Sequence, residues 1–503
     1  MKKRALISVS DRKYLAEFAH FLADRGYEII STGGTFRYLK KQGLEPVEIS
    51  EVTGFPEILE GRVKTLHPYI HGGILAKRSQ SEHMKTLDNH LIIPIDLVVV
   101  NLYPFFEQHD QDLAFEAQLE FIDIGGPTLL RAAAKNFIDV TVITETIDYD
   151  SVREEIDRLG ETSFPLRKKL AGKVFNLTAA YDSAISQWLL EEDFPTYFNA
   201  SYQKRMDLRY GENPHQKAAY YINTAHGGAF RDFEQLNGKD LSFNNLRDMD
   251  AAWKVVAEFS EPACCAVKHD TPCGVALGQD IVDAWEKAHA CDPVSVFGGI
   301  VSVNHTLIET AAEAMSKIFL DIVLAPDYEL EALDVLKRKK NLRVIRIKDA
   351  VRDTLEYVKI DGGLLVQQRD DYFSSDYQVV TKKQPTAEQL QSLIFAQKAV
   401  KHVKSNAIIV ARGKQALGIS SGQTNRICAA RQAIERALEK SSGDLVLASD
   451  AFFPFRDVVD EAAQRGIKAI IQPGGSFRDA NSIQACDEYG IAMVFTGIRH
   501  FKH

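Results

Sequence analysis

The chain has 503 residues, 45% of them apolar and 26% charged, with six cysteines. That is a globular composition; it excludes extensive disorder and a small disulfide-stapled fold, and at roughly 150 residues per domain it predicts about three domains. With 60 Lys+Arg against 69 Asp+Glu the formal charge is −9, which argues against a general nucleic-acid binder but not against small anions held by local cations.

In chain order, Met1–Ser8 begins with basic residues, but the apolar run ends at Val9 before Asp11-Arg12, so no signal peptide is expected. Ala5–Val9 reads as a short buried strand. Ser10 or Asp11 then suits a helix N-cap, followed by Leu15, Phe18, Ala19 and Leu22 at i, i+3, i+4, i+7. Tyr27–Ile30, Ile95–Val100 and Asp139–Ile143 read as further strands. Strands alternating with helices predict βαβ units and a parallel sheet. Ligands of such sheets sit beyond the carboxyl ends of the strands. Residues 150–195 read as helical, and Glu192–Asn199 breaks the pattern as the candidate boundary. A second alternating series follows, with strands at Ala263–Lys268, Gly299–Val303, Asp321–Leu324, Asn406–Ala411, Asp444–Ala448 and Lys468–Ile471. Thr386–Val403 and Thr424–Glu439 read as helices between them, and Val267–Leu277 and Ile408–Ser420 share a faint strand-turn similarity that hints at duplication. The longest apolar runs, such as Leu97–Val100, fall far below the roughly 20 residues that span a bilayer, so no membrane segment is expected and a cytoplasmic chain with reduced thiols is.

Several strings can carry chemistry. Ser31-Thr32-Gly33-Gly34-Thr35 follows a strand and opens a helix, where glycines and free N–H groups let an anion approach, although an ordinary strand-to-helix turn wants the same residues. It is neither a Walker A nor a Gly-x-Gly-x-x-Gly fingerprint. Gly61–Pro68 adds Arg62, Lys64 and His67 in a loop. Asp123-Ile124-Gly125-Gly126-Pro127 opens a helix on which Arg131 and Lys135 stand at i, i+4, an arrangement that suits an intervening anion or two solvated cations. Lys268-His269-Asp270-Thr271-Pro272 ends a strand; a lysine beside a histidine disfavours the imidazolium, and its ammonium can stabilise an oxyanion. Cysteines cluster nearby, but no Cys-x-x-Cys and no His-x-Glu occurs, so no metal site is expected. Arg209–Gln216, Ser420–Arg426 and Asp450–Asp457 are further polar or aromatic turns.

Together these strings, from Ser8–Asp11 to Arg499–His503, closely resemble the bifunctional AICAR transformylase/IMP cyclohydrolase family of purine biosynthesis. The resemblance implies a methylglyoxal-synthase-like parallel-sheet domain at 1–195, followed by two cytidine-deaminase-like lobes at 196–503 that divide near 365–385. It implies formyl transfer from 10-formyltetrahydrofolate to AICAR, closure of the formylated product FAICAR to IMP, no catalytic metal, and a homodimer. For the cyclohydrolase it implies Ser10, Asp11, Arg12, Thr32, Gly33, Gly34, Thr35, Arg62, Lys64, Thr65, Asn101, Asp123 and Ile124 as substrate contacts, with Lys135 moving the proton. For the transformylase it implies His269 as base and Lys268 as stabiliser, with Arg209, Tyr210, Gly298, Asp321, Asn406, Arg426, Phe452 and Arg499 on the ribotide and Ile427 and Asp457 on the folate. Two positions depart from the family pattern. Arg12 stands where relatives often have Lys, and Asp270-Thr271 where bacterial relatives often show Ala-Asn, which alters the surroundings of His269. The alternatives are a chain that keeps one activity on a ribotide-binding scaffold, or a non-catalytic ribotide sensor.

Overall fold

Leu97-Val98-Val99-Val100 is buried at all four positions, as a strand covered on both faces must be. It belongs to the first of two units in the computed structural model, Met1–Tyr202 with Asn223–His226; the second is Gln203–Ile222 with Gly227–His503. The structure describes residues 2–102, 105, 113–224, 227–348, 350–351 and 353–503.

In the first unit, β1 (Arg4–Ser8), β2 (Glu28–Ser31), β3 (Val47–Glu48), β4 (Leu97–Val100) and β5 (Thr141–Ile143) form one sheet in the order β3-β2-β1-β4-β5. Every pairing is parallel. The chain winds outward in both directions from β1, so β1 and β4 flank the switch point where a crevice opens. Helices Leu15–Asp24, Gly125–Lys135, Tyr149–Leu159 and Phe164–Leu189 supply apolar residues to the core of this unit.

The first helix departs from expectation. It starts at Leu15 rather than directly after Ser10-Asp11, and its N-cap residue Tyr14 takes φ 58° with no side-chain cap. Ser10 and Asp11 are instead bonded to Asn101 of the neighbouring strand end. The Ser10 hydroxyl is committed to Asn101 and the Leu102 carbonyl, and the Asp11 carboxylate accepts the Lys13 N–H at 2.9 Å, ahead of the helix.

In the second unit β6 (Tyr202–Leu208) pairs with β7 (Ala218–Asn223). Then come β8 (Glu234–Asn237), β9 (Ala263–Lys268), β10 (Thr271–Leu277), β11 (Ile300–Val303), β12 (Ile322–Ala325) and β13 (Arg343–Arg346). A ribbon of β14 (Leu355–Ile360) and β15 (Gly363–Gln368) follows, and after it β16 (Gln378–Val379), β17 (Ile408–Arg412), β18 (Gln415–Ser420), β19 (Val446–Ser449), β20 (Ala469–Gln472) and β21 (Ala492–Phe495). Twelve of these strands form one sheet, β16-β21-β20-β19-β17-β18-β10-β9-β11-β12-β13-β8. Its halves read β10-β9-β11-β12-β13 and β18-β17-β19-β20-β21, the same order twice, joined where β10 meets β18 antiparallel. The faint similarity between Val267–Leu277 and Ile408–Ser420 is thus a pair of equivalent hairpins. The helix Phe243–Val256 precedes one half and Ala387–Val400 the other.

Candidate active sites

The first site lies at the carboxyl ends of β1, β2 and β4. Asn101 Oδ1 accepts from the Ser10 N–H at 2.6 Å, the Ser10 hydroxyl at 2.9 Å and the Asp11 N–H at 3.2 Å. Its Nδ2 donates to the Asp11 carbonyl at 2.9 Å. Thr35 Oγ1 exchanges hydrogen bonds with both backbone groups of Val9. These contacts fix the loop after β1 against the N-terminus of helix Gly33–Lys41. A Cβ on Gly34 would meet Arg12 Nη2 at 2.8 Å, and one on Gly33 would come within 3.9 Å of Lys64 Nζ. Free helical N–H groups, a glycine pair and two cations therefore share one small volume. That is an anion cradle.

A second helix N-terminus faces the same loop. A Cβ on Gly125 would sit 2.9 Å from Thr65 Oγ1, so helix Gly125–Lys135 starts against the Arg62–Thr65 segment. Asp123 Oδ1 accepts from the Gly126 N–H at 2.9 Å, and the Asp123 N–H donates to the Tyr181 hydroxyl at 2.9 Å. Burial pushes the Asp123 carboxyl above the usual carboxylate range, and the Gly126 N–H and Lys64 offset this only in part. Ile124 is exposed at 57%. Arg62 is ion-paired to Glu120. Lys135 ends the helix that Gly125 begins, roughly 15 Å of rise along it. Arg131 lies over the Phe175 ring at 5.4 Å.

In the second unit the β9–β10 hairpin pairs Lys268 with Thr271, which leaves His269 and Asp270 as its whole turn. Both have positive φ, 54° and 59°, as a type I′ turn requires. His and Asp are among the few non-glycine residues that tolerate this region, at a cost of order 1–2 kcal/mol each. Lys268 Nζ donates to the Phe297 carbonyl at 2.9 Å, and Gly298, at φ 67°, leaves a Cβ-sized gap 3.3 Å from that nitrogen. The helix Phe243–Val256 organises the rest. Asn245 Nδ2 donates to Asp321 Oδ2 at 2.9 Å, while the buried Arg343 takes Asp321 Oδ1 at 2.6 Å. Asp248 Oδ1 accepts the Asp270 N–H at 2.6 Å. The backbone of Arg209 and Tyr210 is tied to Leu241 and Phe243, beside the same helix start.

The other half contributes a buried guanidinium. Arg426, 6% exposed, donates to Asn406 Oδ1 at 2.6 Å and Ser449 Oγ at 2.8 Å, and pairs with Asp450. Asn406 Nδ2 donates to the Gln423 carbonyl at 2.7 Å. Ile427 opens the helix Arg426–Leu438 and Asp457 opens Asp457–Gln464, while Phe452 is half-buried between β19 and that helix. Arg499 lies over the Phe501 ring at 4.7 Å. The two halves meet through Lys404, whose Nζ is 3.2 Å from Asp270 Oδ2. Sequence reasoning missed Asn245, Arg247, Asp248 and Arg343. The first three sit in an ordinary amphipathic helix, and only tertiary structure shows where they point. No group of His, Cys, Asp and Glu suited to a metal ion occurs among the described residues.

Parallel-sheet cradle and duplicated lobes define a mixed α/β protein with an MGS-like domain, whose family profile matches residues 14–128. The profile of the AICARFT/IMPCHase bienzyme family matches residues 133–436. The chain is 58% identical to the bifunctional purine biosynthesis protein PurH of Clostridium botulinum, with 100% of both chains covered. It is 59% identical to that of Clostridium perfringens and 56% to that of Fusobacterium nucleatum, again over 100% of each. The chain belongs to the AICARFT/IMPCHase bienzyme family.

Proposed function

We infer that the two sites act in series. The chain is a bifunctional enzyme for the last two steps of IMP synthesis: the second unit formylates AICAR and the first closes the product to IMP. The observation that carries this is the full-length match to bifunctional relatives, with a cation-lined cradle in one unit and the Lys268-His269 turn in the other. The 1–195 region is proposed as the cyclohydrolase, and 196–503, in two lobes dividing near 365–385, as the formyltransferase.

The formyl donor is a folate, and 10-formyltetrahydrofolate is the species proposed. In the transfer the ribotide amine attacks the formyl carbon, its proton passes to His269, and the bond to the folate nitrogen breaks as that nitrogen is protonated. The amine is a weak nucleophile because its lone pair is delocalised, so a positioned base and the Lys268 ammonium near the developing oxyanion are what the step needs. Ring closure joins the carboxamide nitrogen to the formamide carbon and releases water. It is mostly a proximity problem, which suits a site built of phosphate and ribose anchors: Ser10, Asp11, Arg12, Thr32–Thr35 and Lys64, with Asp123 and Ile124 towards the base. Lys135 is proposed as the proton-transfer lysine, with Lys64, which stands at the cradle, as its comparison.

A homodimer is part of the same proposal. The isolated β14–β15 ribbon exposes Val358 at 53%, Ile360 at 45%, Leu364 at 46% and Leu365 at 56%, and a lone two-stranded ribbon with apolar faces gains stability by packing on a second surface. A cytoplasmic location is proposed as well; no helix among the described residues is long and apolar enough to cross a membrane. The test is direct. Given ribotide and formyl-folate, the protein yields IMP, Lys135→Ala accumulates FAICAR, and His269→Ala stops its formation. Near-normal formyl transfer by His269→Ala would overturn the assignment.

A further inference from the structure

The turn that carries His269 is held by more than its hairpin. Asp270 Oδ2 accepts from Arg247 Nη2 at 2.7 Å and stands 3.2 Å from Lys404 Nζ. Its N–H is held by Asp248. Arg247 extends the chain of charges, with Nη1 3.6 Å from Glu212, whose carbonyl also accepts from Asn244 Nδ2 at 3.1 Å. At the other end the Lys404 carbonyl accepts the Gly422 N–H at 2.7 Å, two residues from Asn406. Glu212 belongs to the Arg209–Gln216 loop. One carboxylate thus lies at the centre of a line running from that loop, through helix Phe243–Val256 and the His269 turn, to the Lys404–Asn406 segment of the other half.

We propose that Asp270 is the positioning residue of the formyl-transfer site, holding the His269 turn in register with the segments that bear Arg209 and Asn406. This rests on the formyltransferase reading above. Three physical points support it. Consecutive non-glycine residues at φ 54° and 59° keep that conformation only where the surroundings over-determine it, and Asp248, Arg247 and Lys404 are those surroundings. Arg247 and Lys404 both meet the Asp270 carboxylate, with Glu212 3.6 Å from Arg247 and Asp248 committed to the Asp270 N–H, and Lys502 feels Asp270 together with Asp250 and Glu356 against Lys254. Burial pulls the Lys502 ammonium below the usual lysine range, and Asp270 acts to hold it up. Lys502 is in turn bonded through its backbone to Ser405, next to Asn406. Without the Asp270 carboxylate, Arg247 and Lys404 lose the anion they share at the turn. An imidazole displaced by about 1 Å loses on the order of 100-fold in rate.

The experiment measures both activities of the same full-length protein; the cyclohydrolase lies in the other unit and controls for protein concentration, while the melting temperature follows folding of the unit that carries Asp270. Asp270→Ala is expected to lower kcat for formyl transfer about 10- to 100-fold, more than it raises the ribotide KM, with the FAICAR closure rate and melting temperature unchanged. Asp270→Asn keeps an oxygen for Arg247 but not the charge that Arg247 and Lys404 share, and is expected to recover only part of the loss. Asp270→Ala combined with Lys404→Met is expected to be no slower than Asp270→Ala alone, since both remove the same contact. Wild-type kcat in Asp270→Ala overturns the proposal, as do additive losses in the double variant. A fall in formyl transfer matched by a fall in melting temperature also overturns it, because that marks a residue needed only for folding. Wild-type protein that makes no formylated ribotide overturns the activity reading instead.

Discussion

At Gly34 a missing side chain does chemical work. The Cβ of an alanine would come within 2.8 Å of Arg12 Nη2, in the space that the helix N–H groups and Lys64 share. The obstacle is the far end of a flexible arginine, so the fold can absorb it by moving Arg12 outward. A phosphate that needs Arg12 cannot. Gly34→Ala is therefore expected to raise the cyclohydrolase KM for FAICAR about tenfold, one charge-assisted hydrogen bond being worth roughly 1.5–3 kcal/mol, while the melting temperature moves by less than about 2 °C. Steady-state kinetics with a parallel melt checks this, and an unchanged KM would remove Arg12 from the cradle. Arg12 also lies 5.4 Å from the Tyr38 ring, a stacking site that lysine fills less well. Arg12→Lys is expected to weaken ribotide binding in the same assay without abolishing it.

Equivalent elements of the two lobes solve the same packing problem in the same way. Gly274 in β10 and Gly418 in β18 occupy corresponding positions, and a Cβ there would lie 2.1 Å from the Ala288 carbonyl oxygen and 1.9 Å from that of Ala433. Each helix rests directly on its hairpin. Gly418→Ala must push the helix Arg426–Leu438 off the sheet and with it the Arg426 guanidinium, so loss of about 3 kcal/mol or more of stability is expected, read as a lower denaturant midpoint. The helices Phe243–Val256 and Ala387–Val400 are joined just past their ends, where Glu258 Oε1 accepts from Lys401 Nζ at 3.0 Å and His402 Nε2 at 2.8 Å. Burial raises the Glu258 carboxyl, but hydrogen bonds from His402 and Lys401 more than offset it, and burial lowers His402. Both groups are depressed on folding, so both contribute stability above their ordinary values of 4.5 and 6.5 that is lost as pH falls through the folded ones. Melting temperature is expected to drop as pH falls below about 6.5, and Glu258→Gln to remove the part that belongs to the carboxylate. A wild-type melting curve flat from pH 7 to 4 would contradict this. Strands such as Ala263–Lys268 were legible because an unbroken apolar run needs no partner to be recognised. β8, with its Glu-Gln-Leu-Asn composition, was not: it is a strand only because β13 offers it hydrogen bonds. The same holds for the sites. Glycine turns and the Lys-His pair declare themselves locally, whereas Arg247 and Asp248 acquire meaning only when the hairpin turn arrives beside their helix.

For the whole molecule, the net charge of −9 conceals where the cations stand, and surface polarity conceals a second feature. β14 and β15 pair in antiparallel register, with Val358 opposite Leu365, so two half-exposed apolar side chains share one face with Ile360. Exposed ribbons of this kind invite a partner strand or surface. If that partner is a second copy, the contact forms in the region assigned to formyl transfer, outside the unit that holds the cradle. The two activities then respond differently to the same change. Val358→Asp with Leu365→Asp places like charges directly opposite one another on the apolar face. The pair is expected to convert the protein to monomers by analytical ultracentrifugation and to cut formyl transfer at least tenfold, with FAICAR closure within about twofold of wild type, the size of an ordinary surface effect of ±0.5 kcal/mol. Full formyl transfer by a demonstrated monomer would show that each chain carries a complete transferase site. A persistent dimer would move the interface away from this ribbon.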